Sequence, residues 1–232
     1  MFFKKKTQED LTPEEKLKAL NEKFEKKRNL TGIAAKLCSI LAICMSLYHM
    51  YSSGVHMLPQ FQHRAIHLAF ALALTFLIFP ATDKQKNKVP LWDIAAIIFS
   101  IAVGAYLCLD YMNIVFRMGD PFTRDIVIGA IMIVLVLEAT RRTMGWPLVI
   151  VAVAFLLYAF LGHLIPGTLG HRQYEVSRVI EHMFLTSEGI YGVAIYVTAT
   201  FVFIFILLGS FLTETGGAQA FIDLAFSITG RF

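Results

Sequence analysis

Charge is scarce in this chain and unevenly spread. Charged residues make up 16% of the 232 positions against 56% apolar ones, and they cluster so as to leave long uncharged runs. A water-soluble domain would have to hide its 20 Phe in one core, yet here they sit in helix-length segments, the profile of a polytopic membrane protein. Cysteine is sparse too: Cys38, Cys44 and Cys108 are odd in number, lie inside apolar segments and show no metal spacing. They read as packing residues and do not report a redox compartment. Signatures of chemistry are missing as well. There is no His-Glu-x-x-His, no paired aspartates and no Gly-x-Ser-x-Gly, so an intramembrane enzyme has no support. Neither a phosphate loop nor a dinucleotide fingerprint is present, which removes ATP-driven transport within this chain. The seven His lie near span ends or in loops without a Cys, Asp or His partner at metal spacing, and each reads as an interfacial or packing residue rather than a ligand. No secretory leader is evident, because the first apolar run is too long and lacks a small-residue cleavage site.

What the chain does have is a basic arm followed by helix-length apolar runs. Residues 1–29 hold nine Lys and Arg against six acids. Thr12-Pro13-Glu14-Glu15 starts a helix with a cap, a first-turn Pro and acids, and Leu17, Leu20 and Phe24 give it a thin apolar stripe. The arm reads as a solvated cytoplasmic amphipathic helix that pins orientation, or one lying on anionic headgroups. Nucleic-acid binding is a poor reading, since the acids interleave and a membrane span follows at once.

Six runs reach or approach crossing length, given about 20 residues per crossing. They are expected at 30–51, 64–79, 91–109, 125–139, 146–164 and 190–212. Tyr48, His49 and Tyr51 mark an interface at the end of the first. Ala65, Ala69 and Ala73 in the second and Ala96, Ser100 and Gly104 in the third repeat every fourth residue, so the two stripes are expected to pack together. Asp93 is a cap-type residue at the start of the third. The fourth ends in Leu-Glu-Ala-Thr-Arg-Arg, where Glu138 precedes Arg141 and Arg142 by three and four positions and shares a helix face with them. An anchoring ion pair is expected there rather than a transport relay. Pro147 sits harmlessly in a first turn. Val176, Val179, Ile180, Met183 and Phe184 recur at helical spacing, which predicts an interfacial amphipathic helix near 175–185.

Lys and Arg then set orientation. With the N-terminus inside, one side collects the arm, Lys84, Lys86, Lys88, Arg141 and Arg142, and the other gets Arg64, Arg117, Arg124, Arg172 and Arg178. The fold class expected is all-α and polytopic, with about six transmembrane helices and a cytoplasmic N-terminus.

Three motifs carry a family resemblance, in order along about 30–232. Gln62-His63-Arg64-Ala65-Ile66-His67-Leu68-Ala69-Phe70-Ala71 resembles the start of the second span in fused, TAXI-type permeases of the TRAP (tripartite ATP-independent periplasmic) transporters. Leu137-Glu138-Ala139-Thr140-Arg141-Arg142 with Gly145-Trp146-Pro147-Leu148 resembles the beginning of their large subunit. The apolar helix ending Leu-Gly-Ser-Phe-Leu, the Gly216-Gly217 turn and the Phe-Ile-Asp-Leu-Ala…Gly-Arg run at 221–231 resemble the large subunit's first part.

The resemblance implies a division into 1–29 as basic arm, 30–122 as small-subunit-like and 123–232 as the start of a large-subunit-like region. It implies a component of an ion-driven symporter for small organic acids in the bacterial inner membrane, not an enzyme. Its partners would be a periplasmic solute-binding protein, the rest of the permease and membrane lipid, with no nucleic acid. It also implies that this segment is scaffold, that a complete fused permease would run on well past Phe232, and that substrate and coupling ion (sodium or proton) bind there. No other cofactor or metal is expected. The loops 52–63, 110–124 and 165–189, with Arg117, Arg172 and Arg178, are candidates for docking the binding protein. The alternative is a stand-alone membrane scaffold or assembly subunit without transport of its own.

Overall fold

The computed structural model describes residues 27–56, 58–82 and 85–230. Most of the basic arm, including its expected helix, lies outside the described residues. Every regular element described is helical: α1 (Gly32–Gly54), α2 (Gln60–Ile78), α3 (Leu91–Leu109), the short α4 (Tyr111–Phe116), α5 (Thr123–Thr143), α6 (Trp146–Leu164), α7 (Val176–Phe184), α8 (Val193–Glu214) and α9 (Gly217–Thr229). α6 closes in a 3₁₀ turn at Gly162–Leu164, and α8 contains a π turn at Thr198–Val202.

Five helices, α1, α2, α3, α6 and α8, are long and apolar enough to cross a membrane. The expected fourth span, α5, has 21 residues and so rises about 30 Å. Its charges sit only at its two ends: Arg124 and Asp125 at one, Glu138, Arg141 and Arg142 at the other. The uncharged stretch between them runs from Ile126 to Leu137. In an apolar solvent a helix satisfies its own backbone, so terminal charges paired within the protein are compatible with a traverse.

α2 is the hub. Fifty-six per cent of its best membrane-length window is buried, against 11% for α1 and α6 and 6% for α8. Leu68, Leu72 and Phe76 from α2 meet Val103 and Leu107 from α3 and Met132 from α5 in one core, which Phe184, Leu185 and Tyr191 close at one end. The small-residue stripes do meet. Ala65, Ala69 and Ala73 are buried, and a Cβ on Gly104 would lie 2.7 Å from the Ala69 Cβ and 3.5 Å from the Ala65 carbonyl oxygen. Glycine is needed at 104 because the Ala69 methyl already occupies the space that a second methyl would take.

α7 has the expected position, but its apolar face is turned onto protein. Ile180 and Phe184 are buried against α5 at Gly129, where a Cβ would come within 2.6 Å of the Ile180 Cγ2. α2 starts four residues earlier than the expected 64, because Pro59 leads directly into the first turn. The loop after α3 contains α4, which buries Ile114.

Gly104→Ala should cost about 1–3 kcal/mol, the usual penalty for overpacking, measured by denaturant unfolding in detergent. Pairing it with Ala69→Gly, which removes the atom it meets, should recover most of the loss. An unchanged midpoint for Gly104→Ala alone would contradict the close packing.

Candidate functional site

Ionisable groups gather in three places: at each end of the bundle and in a seam along α1, α2 and α8. The first cluster is built on Asp93, in the first turn of α3. Its carboxylate does not cap the helix, whose N-cap is Pro90. Instead Oδ2 accepts from Arg28 Nη2 at 2.5 Å and Oδ1 from Arg142 Nη2 at 2.8 Å, with the Arg28 and Asp93 side chains essentially sealed. Arg28 also donates to the carbonyls of Phe76 and Leu77 at 3.2 and 3.1 Å and to that of Gln85 at 3.2 Å. The last turn of α2 leaves carbonyls without helical partners, and Arg28 fills them. Its backbone joins in, the Arg28 N–H donating to the Ile78 carbonyl at 2.7 Å. Arg28 is therefore not a solvated member of the basic arm, as sequence reading had it. It straps the chain ahead of α1 across the end of α2.

Glu138, Arg141 and Arg142 form the expected pairs. Glu138 accepts from Arg141 Nε at 2.7 Å and from Arg142 Nε at 2.8 Å. Arg142 reaches further, donating to the Phe79 carbonyl at 3.1 Å and lying 4.9 Å over the Phe76 ring. Sequence spacing showed the Glu138 pair because it lies on one helix. Arg28 and Asp93 were missed because they are 65 positions apart, and only a charge inside an otherwise apolar helix start hinted at them.

The opposite end holds Arg117, Asp110, Asp125, Arg124 and Tyr106. Arg117 donates to Asp125 Oδ2 at 3.0 Å and to Asp110 Oδ2 at 2.8 Å, and stacks 4.8 Å over Phe122. Asp125 also accepts from the Tyr106 hydroxyl and, at 3.0 Å, from the Phe122 N–H. Arg124 pairs with Asp110 at 2.9 Å. The Asn113 amide, 2.6 Å from Asp110, and then Arg117 hold the Asp110 carboxyl below the usual carboxylate range. Of the two other arginines expected to dock the binding protein, Arg178 pairs with Glu181 at 2.9 Å while its side chain remains largely exposed. Glu181 is itself tied to the Gly119 N–H at 2.6 Å. Arg172 is exposed beside Tyr174, 5.4 Å from its ring centre.

The seam was not foreseen. His49, His63 and His67, read singly as packing residues, converge and are all buried. His49 Nδ1 meets the Met45 carbonyl at 2.7 Å and its Nε2 meets His67 Nδ1 at 2.9 Å. His63 Nδ1 meets the Tyr48 hydroxyl at 2.9 Å and its Nε2 meets the Ala199 carbonyl at 3.2 Å. Arg64 donates to the Tyr191 carbonyl at 2.7 Å and lies 4.7 Å over Tyr196. Among the described residues no group of His, Cys, Asp and Glu could hold a metal ion. The signal was available: Tyr48 and His49 near the end of one helix face His63, Arg64 and His67 near the start of the next across a short turn.

A long apolar cleft of about 790 Å³ also opens between α5, α6 and α7, walled by Val136, Phe155, Leu156 and Met183, with Tyr174 and His182 among its polar members.

Residues 131–232 match the family model described as "Tripartite ATP-independent periplasmic transporter, DctM component". The matched stretch, less than half of the chain, begins within α5 and takes in α6 to α9. No curated protein and no solved structure matches the chain.

Asp93→Asn takes from the buried Arg28 its described counter-charge and leaves Arg142 with Glu138 alone, so about 3–5 kcal/mol of stability should be lost. Arg141→Ala, which breaks a half-exposed pair, should cost no more than about 1 kcal/mol. Denaturant midpoints in detergent check both, and equal effects would refute the ranking.

Proposed function

We propose that this chain is a membrane component of a TRAP-type secondary transporter, of the fused TAXI kind, that carries small organic acids on an ion gradient. The observation that carries the reading is the large-component match over residues 131–232. Five helices of crossing length and composition support it, as does the packing of α1–α3 onto α5 and α8 as one helical body.

Within that reading the segment acts as scaffold. The ionised groups described at the two ends of the bundle are spent on one another, in pairs such as Arg142–Asp93 and Arg117–Asp125. Substrate and coupling ion, sodium or proton, are assigned to other parts of the transporter. The N-terminus is placed on the cytoplasmic face of the inner membrane, because the basic arm and the Arg141–Arg142 end would share that side.

The opposite end faces the periplasm in this reading and receives the solute-binding protein. Arg172 and Arg178 are offered to it directly, being exposed. Arg117, held by Asp110 and Asp125, contributes by fixing the loop's shape. Delivery of substrate by a soluble receptor favours rim charges of this type, which govern association rate more than affinity.

The test is uptake of radiolabelled small carboxylates into proteoliposomes holding the full protein, with a secreted receptor encoded beside its gene. Uptake that needs both the receptor and an imposed sodium or proton gradient is expected. Uptake driven by ATP, or none with any receptor, would leave the stand-alone scaffold as the better account. Arg172→Glu with Arg178→Glu should lower receptor-dependent uptake roughly tenfold at low salt and less at high salt, as for a steering effect. Unchanged uptake would remove the docking assignment.

A further inference from the structure

The histidine seam joins helices outside and inside the stretch that the family model matches. His49 and His63 come from α1 and α2, and the carbonyl of Ala199 and the ring of Phe203 come from α8. The chemistry of the partners fixes the protons. A carbonyl oxygen only accepts, so His49 Nδ1 must donate to Met45, and in a neutral ring its Nε2 must accept from His67 Nδ1–H. For the same reason His63 Nε2 donates to Ala199, which leaves Nδ1 to accept from the Tyr48 hydroxyl. One ring nitrogen of the three residues, Nε2 of His67, makes no hydrogen bond among the described residues.

The Ala199 carbonyl lies in the π turn of α8. Thr198 and Thr200 direct their hydroxyls back to the carbonyls of Ala194 and Tyr196. That competition for acceptors loosens the local helix and permits the wider turn. α8 is thus held at a place where its own ladder is already altered.

We propose that His67 is a proton-operated latch: a proton taken up at its Nε2 loosens the seam between α8 and the α1–α2 pair. A proton there breaks no existing bond, since Nδ1–H still donates to His49. Protonating His49 Nε2 would instead set a donor against the Nδ1–H of His67, and protonating His63 Nδ1 would require the Tyr48 hydroxyl to turn from donor to acceptor. The resulting imidazolium has no counter-charge. The titratable and charged groups turned towards the seam are Tyr48 on α1, Arg64 with His63 on α2, Cys108 on α3 and Tyr196 on α8. None is a carboxylate, and the described ion pairs of the bundle lie elsewhere. A charge without a partner in apolar surroundings is stable only when water reaches it. The α8 ring that covers the two histidines is that of Phe203, 4.2 Å from His49 and 6.0 Å from His67 between ring centres, so parting α8 from the pair opens them to water. This inference does not depend on the transport assignment.

The experiment uses the full protein in lipid nanodiscs. Nitrogen-15 spectra of labelled histidine, followed from pH 8 to pH 4.5, should show His67 as the first of the three to carry both ring protons, with His49 and His63 each holding one tautomer. Amide exchange over Thr198–Phe203, corrected for its intrinsic pH dependence, should speed up roughly tenfold between pH 7 and pH 5, the response to a one-unit difference in proton affinity between closed and open seam. His67→Asn keeps a donor at the position of Nδ1 and cannot ionise, so its exchange should be flat with pH. The proposal is overturned if His49 or His63 charges first, if all three stay neutral to pH 4.5, or if wild-type exchange is flat. It is equally overturned if His67→Asn responds to pH as wild type does. The spectra of the wild-type protein decide the matter even if the variant does not fold.

Discussion

One carboxylate shared by two arginines orders the whole bundle. Asp93 receives Arg28 from the chain ahead of α1 and Arg142 from the last turn of α5, at 2.5 and 2.8 Å. Those arginines in turn occupy the carbonyls of Phe76, Leu77 and Phe79, where α2 ends. Four separate stretches of chain are thereby tied at one level. Such a cluster is not a source of large net stability, since desolvation offsets much of the attraction. Its effect is on register: a one-turn slip of α3 would part Asp93 from Arg28, and a slip of α2 or α5 would break the hydrogen bonds of Arg28 or Arg142.

The opposite end repeats the logic with different residues. There Asp125 and Asp110 share Arg117, and the aromatic ring of Phe122 covers the guanidinium. Because α5 reaches from one cluster to the other, its length sets the distance between them. This explains why α5 carries charges at both of its ends, where α2 and α3 carry one each, Arg64 and Asp93. It needs apolar side chains only in its middle, and its ends serve as polar fixing points for the helices beside it. The close approach of α2 and α3 at Ala69 and Gly104 supplies what charges cannot, contact along the membrane-depth stretch where only dispersion and shape act.

Much of this was legible in residue order. Length and apolarity gave the helices, and α3 and α6 fall where the runs at 91–109 and 146–164 begin and end. Spacing by four gave the Ala and Gly stripes, and spacing by three and four gave Glu138 with its arginines. These are all properties of one helix seen by itself. What escaped were relations between helices. Arg28 looked like another member of a basic arm, Asp93 like a cap, and His49, His63 and His67 like unrelated interfacial rings. The pattern within one helix does not distinguish a histidine facing lipid from one facing another histidine, and only the short turn between α1 and α2 brings the two sets together. The fate of the apolar face of α7 was hidden likewise, because a membrane surface and a helix with a glycine notch both accept it.

The two kinds of polar contact in the bundle differ in what they permit. End clusters join opposite charges, are multiply bonded and hold one arrangement. The seam joins histidines, Tyr48 and Arg64 to one another and to backbone carbonyls in single hydrogen bonds without a carboxylate, through a turn of α8 whose ladder is already perturbed. α8 also has the least buried surface of the candidate spans, so few apolar contacts resist its displacement. A helix held by the bond of His63 to Ala199, with Arg64 bonded to the Tyr191 carbonyl just ahead of it, can part from its neighbours without stranding a buried ion pair. The same displacement of α5 would part Arg142 from Asp93 and Asp125 from Arg117. The bundle is therefore rigid through α2, α3 and α5 and compliant at α8. Within residues 131–232, then, α5 is bound into the frame by buried charge, while α8 is only pinned to it.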